Sequence, residues 1–278
     1  MLKNLIKRAL TGIAFVIILV AAICIHPLSF LIVFTLITGG LLWEFYGLLE
    51  NFEGARLKRL INSLGGAYLF IASFLSANAL TGNLIFLPYL LFLIYIMISE
   101  LYNKAPNPIA NWSLIFFGQI YCAGFFSLIN YISSIPDTPG EIAYTPLYVL
   151  AIFIFVWLND TGAYLIGSLF GKRRLFERIS PKKSWEGFLG GLLVALATSQ
   201  AFAWYAPEIT RLQWLGLAFV IVVFGTWGDL IESLFKRTLN IKDSGTVFPG
   251  HGGMLDRFDS VILAIPATYV YIQLFIRN

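Results

Sequence analysis

Charged residues are scarce in this sequence. Only 12% of its 278 residues are Asp, Glu, Lys or Arg, where a soluble domain carries roughly 25%. Hydrophobic residues reach 58% and aromatic ones 16%, more apolar surface than a soluble core of this size needs. A water-soluble globular fold is thereby excluded in favour of a membrane protein. Cysteine is nearly missing: Cys24 and Cys122 both sit inside apolar runs. They offer no disulfide framework and no metal-site spacing, and read as packing residues. There is no internal repeat of the kind many transporters show, no low-complexity tract and no soluble domain. The basic, apolar start "MLKNLIKRALTGIAFVIILV" lacks a small-x-small cleavage site and is followed by many more apolar runs, so a retained first span is expected rather than a cleaved leader.

What the sequence does have is long apolar runs. A spanning helix needs about 20 mainly apolar residues. Nine stretches qualify, near 9–26, 28–48, 62–80, 83–99, 110–132, 147–170, 186–205, 213–234 and 259–276. The glycines of "ITGG" and "LGGAY" suit close helix approach in lipid. With the N-terminus inside, seventeen of the nineteen Lys and Arg residues fall on the inner side, and only Arg211 and Arg277 fall outside. That bias predicts an all-α polytopic membrane protein of about nine transmembrane helices, N-terminus cytoplasmic and C-terminus outside. Residues 1–132 read as a helical scaffold with dimer contacts. Residues 147–278 read as the helices that carry a cytoplasm-facing site, the whole being one integral membrane unit.

Polarity within the apolar runs is lopsided. Asp160 interrupts "FVWLNDTGAYLIG", and Asp229 and Glu232 interrupt "VVFGTWGDLIESLFKR". Ionisable groups at membrane depth are costly and point to function. Asp229, Glu232, Ser233 and Lys236 follow i, i+3, i+4, i+7 spacing, one face of a helix. Asp256 and Asp259 stand three apart at the start of the last run, where a helix N-terminus favours anions. Clustered carboxylates suit Mg²⁺, which takes one or two of them and leaves the rest of its shell to water and phosphate. The nearby bases, Lys236, Arg237, Lys242 and Arg257, suit polyphosphate. Gly250, Gly252 and Gly253 let backbone N–H groups approach phosphate oxygens. The basic loop "GKRRLFERISPKKSWEG" adds Ser180, Lys182 and Lys183, which suit a lipid phosphate or a triphosphate equally. These are the parts of a phosphoryl or nucleotidyl transfer site. The plainer alternative is that the acids only pair with Lys236, Arg237 and Arg257, and that the basic loop only meets anionic lipid.

The stretch Ser233–Asp259, "SLFKRTLNIKDSGTVFPGHGGMLDRFD", resembles the signature of phosphatidate cytidylyltransferases (CDP-diacylglycerol synthases), and every specified position of that pattern matches. "NDTGAYLIGSLFGKRR", "SPKKSWEG" and "WEFYGLL" are similar to other motifs of the family, with Ser184 where Thr is common. The resemblance implies transfer of the cytidylyl group of CTP to phosphatidic acid, giving CDP-diacylglycerol and pyrophosphate. It implies Mg²⁺, a second, monovalent cation such as K⁺ in some members, a homodimer in the lipid bilayer, and no nucleic-acid partner. Under it, Asp229, Asp256 and Asp259 are expected to hold Mg²⁺, with Asp160 and Glu232 as second candidates. Lys236, Arg237, Lys242 and Arg257 would neutralise phosphates. Ser180, Lys182, Lys183, Ser233, Gly252 and Gly253 would bind substrate, and Asp243 would fix Lys242. His251 would donate to a phosphate oxygen or protonate the leaving group, or else organise its loop. The chain length and absence of a soluble domain suggest a bacterial inner membrane. A transporter using the same acids, or a lipid kinase moving the terminal phosphate of CTP, are the competing readings.

Overall fold

The computed structural model describes residues 2–50, 52–134, 144–245, 247 and 252–277. Among them run nine helices and one hairpin: α1 Leu2–Cys24, α2 Pro27–Leu48, α3 Arg59–Ala77, α4 Leu87–Ser99, α5 Pro108–Ser133, α6 Leu147–Phe170, the strands β1 Arg174–Phe176 and β2 Ser180–Ser184, α7 Trp185–Tyr205, α8 Arg211–Thr238 and α9 Leu255–Phe275. Seven of these helices, α2, α3 and α5–α9, are long and apolar enough to cross a membrane. The protein is an all-α polytopic membrane protein. Nine spans were expected. Among the described residues, two shorter apolar stretches, Leu10–Cys24 within α1 and Asn83–Ser99, accompany these seven. In Asn83–Ser99 a 3₁₀ turn over Asn83–Phe86 precedes α4.

Local signals set the helix ends. His26 caps α2, its Nδ1 accepting from Leu28 N at 3.0 Å, with Pro27 at the first helical position, where a missing N–H costs nothing. Thr210 and Gln213 form a reciprocal capping box at the start of α8, which satisfies donors that the helix itself cannot.

The chain divides into two compact bodies, Met1–Pro146 with Asp243–Arg257, and Leu147–Lys242 with Phe258–Asn278. In the first body Phe30, Phe34, Phe70 and Phe126 are fully buried and stack on one another, Phe30 on Phe34 at 4.4 Å and Phe34 on Phe126 at 5.8 Å. Lipid tails are as apolar as these rings, so contact geometry and polar bonds fix the arrangement here. The polar bonds converge on Gln119, at the start of a π-helical stretch of α5, Gln119–Gly124. Its Nε2 donates to Tyr46 Oη at 2.9 Å and to the Asn62 carbonyl at 2.8 Å. The close approach expected of "LGGAY" is present: a methyl on Gly66 would run into Leu42 and Ala123.

In the second body the largest buried side chain is Trp214. Its ring meets Phe202 at 5.2 Å, and its Nε1 donates to the Ala206 carbonyl at 3.1 Å. α6 and α7 pack through glycine. A methyl on Gly162 would stand 3.0 Å from Gly191 Cα, and one on Gly167 would stand 3.4 Å from Gly187 Cα. Gly187 and Gly191 are four residues apart, the small-xxx-small spacing that lets backbones touch.

Candidate functional site

The glycine seam of the second body continues into a cavity of about 530 Å³. Gly167, Gly171 and Gly187 form part of its wall. Because they carry no side chains, space remains where two helices and a hairpin meet. Hairpin β1–β2 closes one side, pairing Arg174 with Ser184 and Phe176 with Ser180. Ser184 ends the hairpin and caps α7, accepting from Gly187 N at 3.1 Å. Glu186 ties down the loop before the hairpin, accepting from Lys172 N at 3.1 Å and Arg173 N at 3.1 Å. A basic, polar loop is thereby tied into a hairpin flap.

This flap presents cations to carboxylates. Arg174, Lys182, Lys183, Asp160 and Asp229 all line the cavity. Lys183 Nζ meets Asp229 Oδ2 at 2.5 Å, each side chain about a quarter exposed. Asp229 also accepts from Ser233 Oγ at 3.2 Å. One turn on, Lys236 pairs with buried Glu232 at 2.6 Å. The single helical face read from the spacing of these four residues is therefore present, with its charges paired pairwise. α8 and α9 come close at Gly228, where a methyl would stand 2.5 Å from the Asp259 carbonyl oxygen. That approach sets Asp259 among like charges: Asp229, Glu232 and Asp160 all act on it electrostatically. Arg237 is exposed and donates from Nε to the Ile179 carbonyl at 3.4 Å and from Nη1 to the Ile241 carbonyl at 3.2 Å, steadying the hairpin turn.

Mg²⁺ can be tested against this donor set. Among the described residues no three His, Cys, Asp or Glu side chains gather as ligands of one ion. One or two carboxylates with water and phosphate remain, which is the habit of Mg²⁺. Asn159, buried in the cavity wall, leaves its Oδ1 without a hydrogen-bond partner among the described residues. That is a further hard oxygen of the kind Mg²⁺ or its waters take. Asp160, Asp229 and Asn159 line this cavity and suit the ion, two carboxylates with an amide oxygen, whereas Asp259 does not line it.

The signature loop belongs to the first body. Asp256 Oδ2 accepts from Ser244 N at 2.9 Å and from Gly253 N at 2.8 Å. The Gly253 N–H, expected to meet phosphate, is thus taken up within the chain. Gly252 adopts φ +82, a left-handed conformation glycine reaches without strain. A methyl there would run into the Asp256 carboxylate. Lys242, Asp243 and Arg257 are exposed. Gly250 and His251 lie outside the described residues, and so does the expected phosphate role of that turn.

The cavity therefore brings together Asp160, Lys182, Lys183 and Asp229 from the expected set. Asn159, Arg174, Thr226 and Ser260 also line it but were not singled out from the sequence. Asn159 and Arg174 carry a usable signal, since they bracket the quoted motif "NDTGAYLIGSLFGKRR". Thr226 and Ser260 carry none, being short hydroxyls in apolar helices. The strongest omission is Glu44, whose buried carboxylate organises the signature loop from the far N-terminal side of the sequence.

Residues 6–275 match the model of the cytidylyltransferase family. A protein of Staphylococcus aureus (strain COL) named phosphatidate cytidylyltransferase is 47% identical over 121 residues, covering 43% of this chain and 46% of that protein. A protein of the same name from Staphylococcus haemolyticus (strain JCSC1435) is 47% identical over 120 residues, again 43% and 46%. One from Bacillus subtilis (strain 168), also so named, is 43% identical over 129 residues, covering 46% and 48%. In each match the chain spans about half the length of the relative.

Proposed function

The chain belongs to the cytidylyltransferase family, and on that premise we propose that it transfers the cytidylyl group of CTP to phosphatidic acid, releasing pyrophosphate. The observation that carries this reading is the cavity of the second body. It sets Arg174, Lys182 and Lys183 against Asp160 and Asp229, on helices apolar enough to cross a membrane. The names of the similar proteins from Staphylococcus and Bacillus support the choice of substrates.

In the proposed reaction a phosphate oxygen of phosphatidate attacks the α-phosphorus of CTP. A new P–O bond forms, the bond to the β-phosphate bridge breaks, and its electron pair leaves with pyrophosphate. The attacking phosphate is already an anion, so no strong base is needed; what must be overcome is repulsion between two anions. Arg174, Lys182 and Lys183 supply the screening, and the Arg fork grips two oxygens at once. Asp160, Asp229 and Asn159 would hold Mg²⁺, which when bound neutralises the triphosphate and the departing pyrophosphate. Lys183 is held by Asp229 at 2.5 Å, so its ammonium is in place before a phosphate arrives. The basic flap is proposed to face the cytoplasm, where CTP is dissolved.

The test uses purified protein in phosphatidate vesicles with CTP labelled in its cytosine ring. Label in the organic phase with equimolar pyrophosphate supports the reading. Label left in water as CDP, beside a newly phosphorylated lipid, replaces it with the kinase reading. Undiminished turnover in EDTA without added divalent ion would remove Mg²⁺.

A further inference from the structure

We infer that Glu44, on α2, is a positioning residue for the signature loop and thereby for turnover. The inference rests on the proposed transfer reaction. Glu44 is 6% exposed, and among the described residues no Lys or Arg pairs with it. A carboxylate buried without a cation needs several hydrogen-bond donors to be tolerated. Among the described residues, the donors bonded to it come from about two hundred residues along the chain. Oε1 accepts from Ser244 Oγ and from Leu255 N, the latter at 2.9 Å, and Oε2 accepts from Met254 N at 2.8 Å.

Leu255 opens α9, so two of those donors belong to the helix N-terminus, where N–H groups have no partner within the helix. A substrate phosphate would be the usual guest at such an end. Here Glu44 occupies it. The loop is shaped to admit the carboxylate: a methyl on Gly245 would stand 2.7 Å from Glu44 Oε2, and one on Gly253 would overlap the carboxylate. Ser244 couples Glu44 to Asp256. Its Oγ donates to Glu44 and accepts from Asp256 N at 3.3 Å, while its own N donates to Asp256 Oδ2 at 2.9 Å. The Asp256 carboxylate is therefore set by a chain of bonds that ends on Glu44. Arg257, expected to neutralise phosphate, is the next residue of the same body, so the signature's acid and base both follow from what Glu44 holds.

Glu44→Gln keeps the side-chain shape but turns an amide NH₂ toward backbone N–H donors that need an acceptor. Its kcat should fall about 10–100-fold, as for loss of outer groups that orient a site, with KM for CTP within about threefold of wild type. Ser244→Ala should show the same split at smaller amplitude. Asn111→Ala is the control: it removes buried bonds to Glu100 and Arg56 in the same body and should lower the melting temperature without changing kcat per folded molecule. Hydrogen exchange of the peptide covering 243–257 gives a readout independent of activity, and Glu44→Gln should speed it about tenfold or more. Unchanged exchange in that peptide, or a Glu44→Gln enzyme with wild-type kcat and only a lower melting temperature, overturns the inference. If wild-type protein makes no CDP-lipid, the proposed function fails, and the exchange result still decides the role of Glu44.

Discussion

In the first body, buried carboxylates face neutral donors: Glu44 takes backbone N–H groups and a hydroxyl, and Glu100 takes the side-chain amides of Asn103 and Asn111, the latter at 2.7 Å. In the second body two carboxylates face ammonium groups, Asp229, about a quarter exposed, with Lys183 and buried Glu232 with Lys236. The contrast is chemical. Neutral donors fixed in the backbone cannot leave, so carboxylates that bind them act as clasps. An ammonium on a flexible stem can turn to another anion, so carboxylates paired that way can exchange partners when a phosphate or a metal ion comes. The first arrangement suits a part whose shape must not change. The second suits a part where charge has to be handed over.

Four measurements would break or sharpen that contrast. Lys236→Met should have the largest effect. It removes the ammonium paired with Glu232, which is 2% exposed, and loss of one partner of a buried pair costs about 3–5 kcal/mol. A denaturation series in detergent should show that loss, and adding Glu232→Gln should recover most of it; an unchanged transition would mean that the pair is idle. Asp229→Asn should lower turnover about 100-fold or more, the scale seen when a group that steers developing charge is removed, with expression and helix content near normal. Retained turnover would take Asp229 out of the site. Lys183→Ala should raise KM for the anionic substrates about tenfold, the worth of one charge-assisted hydrogen bond, with kcat little changed and the defect growing with salt. A pure kcat effect would assign Lys183 to the reacting atoms instead. Last, Gly82→Ala should shift stability by less than about 0.5 kcal/mol, since nothing lies within 4 Å of the added methyl. The paired Gly187→Ala, whose methyl would stand 2.8 Å from the Ala163 carbonyl, should cost about 1–3 kcal/mol.

Much of this was legible in the sequence because it is local. Hydropathy located α2–α9 to within a few residues, and the run near 147–170 coincides with α6, while α1 begins at Leu2, seven residues before its expected run. The spacing of Asp229, Glu232, Ser233 and Lys236 named one face, and the bonds within it, Ser233 to Asp229 and Lys236 to Glu232, join i, i+4 neighbours. The glycines of "LGGAY" announced a tight helix crossing. What stayed illegible is the pairing of distant parts. The hairpin β1–β2 has no apolar alternation to betray it, since "SPKKS" looks like any basic loop. Its existence depends on Glu186 and Ser184 holding its base. Lys183 and Asp229 are separated by forty-six positions, and no periodic signal joins them. Glu44 lies further still from its partners. Within "WEFYGLL" it reads as one acid near the end of an apolar run, and only the folded loop shows what it holds.

Part of the wall of the cavity in the second body is bare backbone, at Gly167, Gly171 and Gly187, and that bears on inhibition. A small molecule seated against those stretches would touch atoms that every amino acid shares. To escape it by mutation, the protein would have to add a side chain at one of those positions, and each addition meets neighbouring atoms, at Gly171 the Gly167 carbonyl oxygen and Ser184 Oγ. A compound anchored there would leave resistance little room: the changes that evict the drug also fill the chamber proposed to hold substrate.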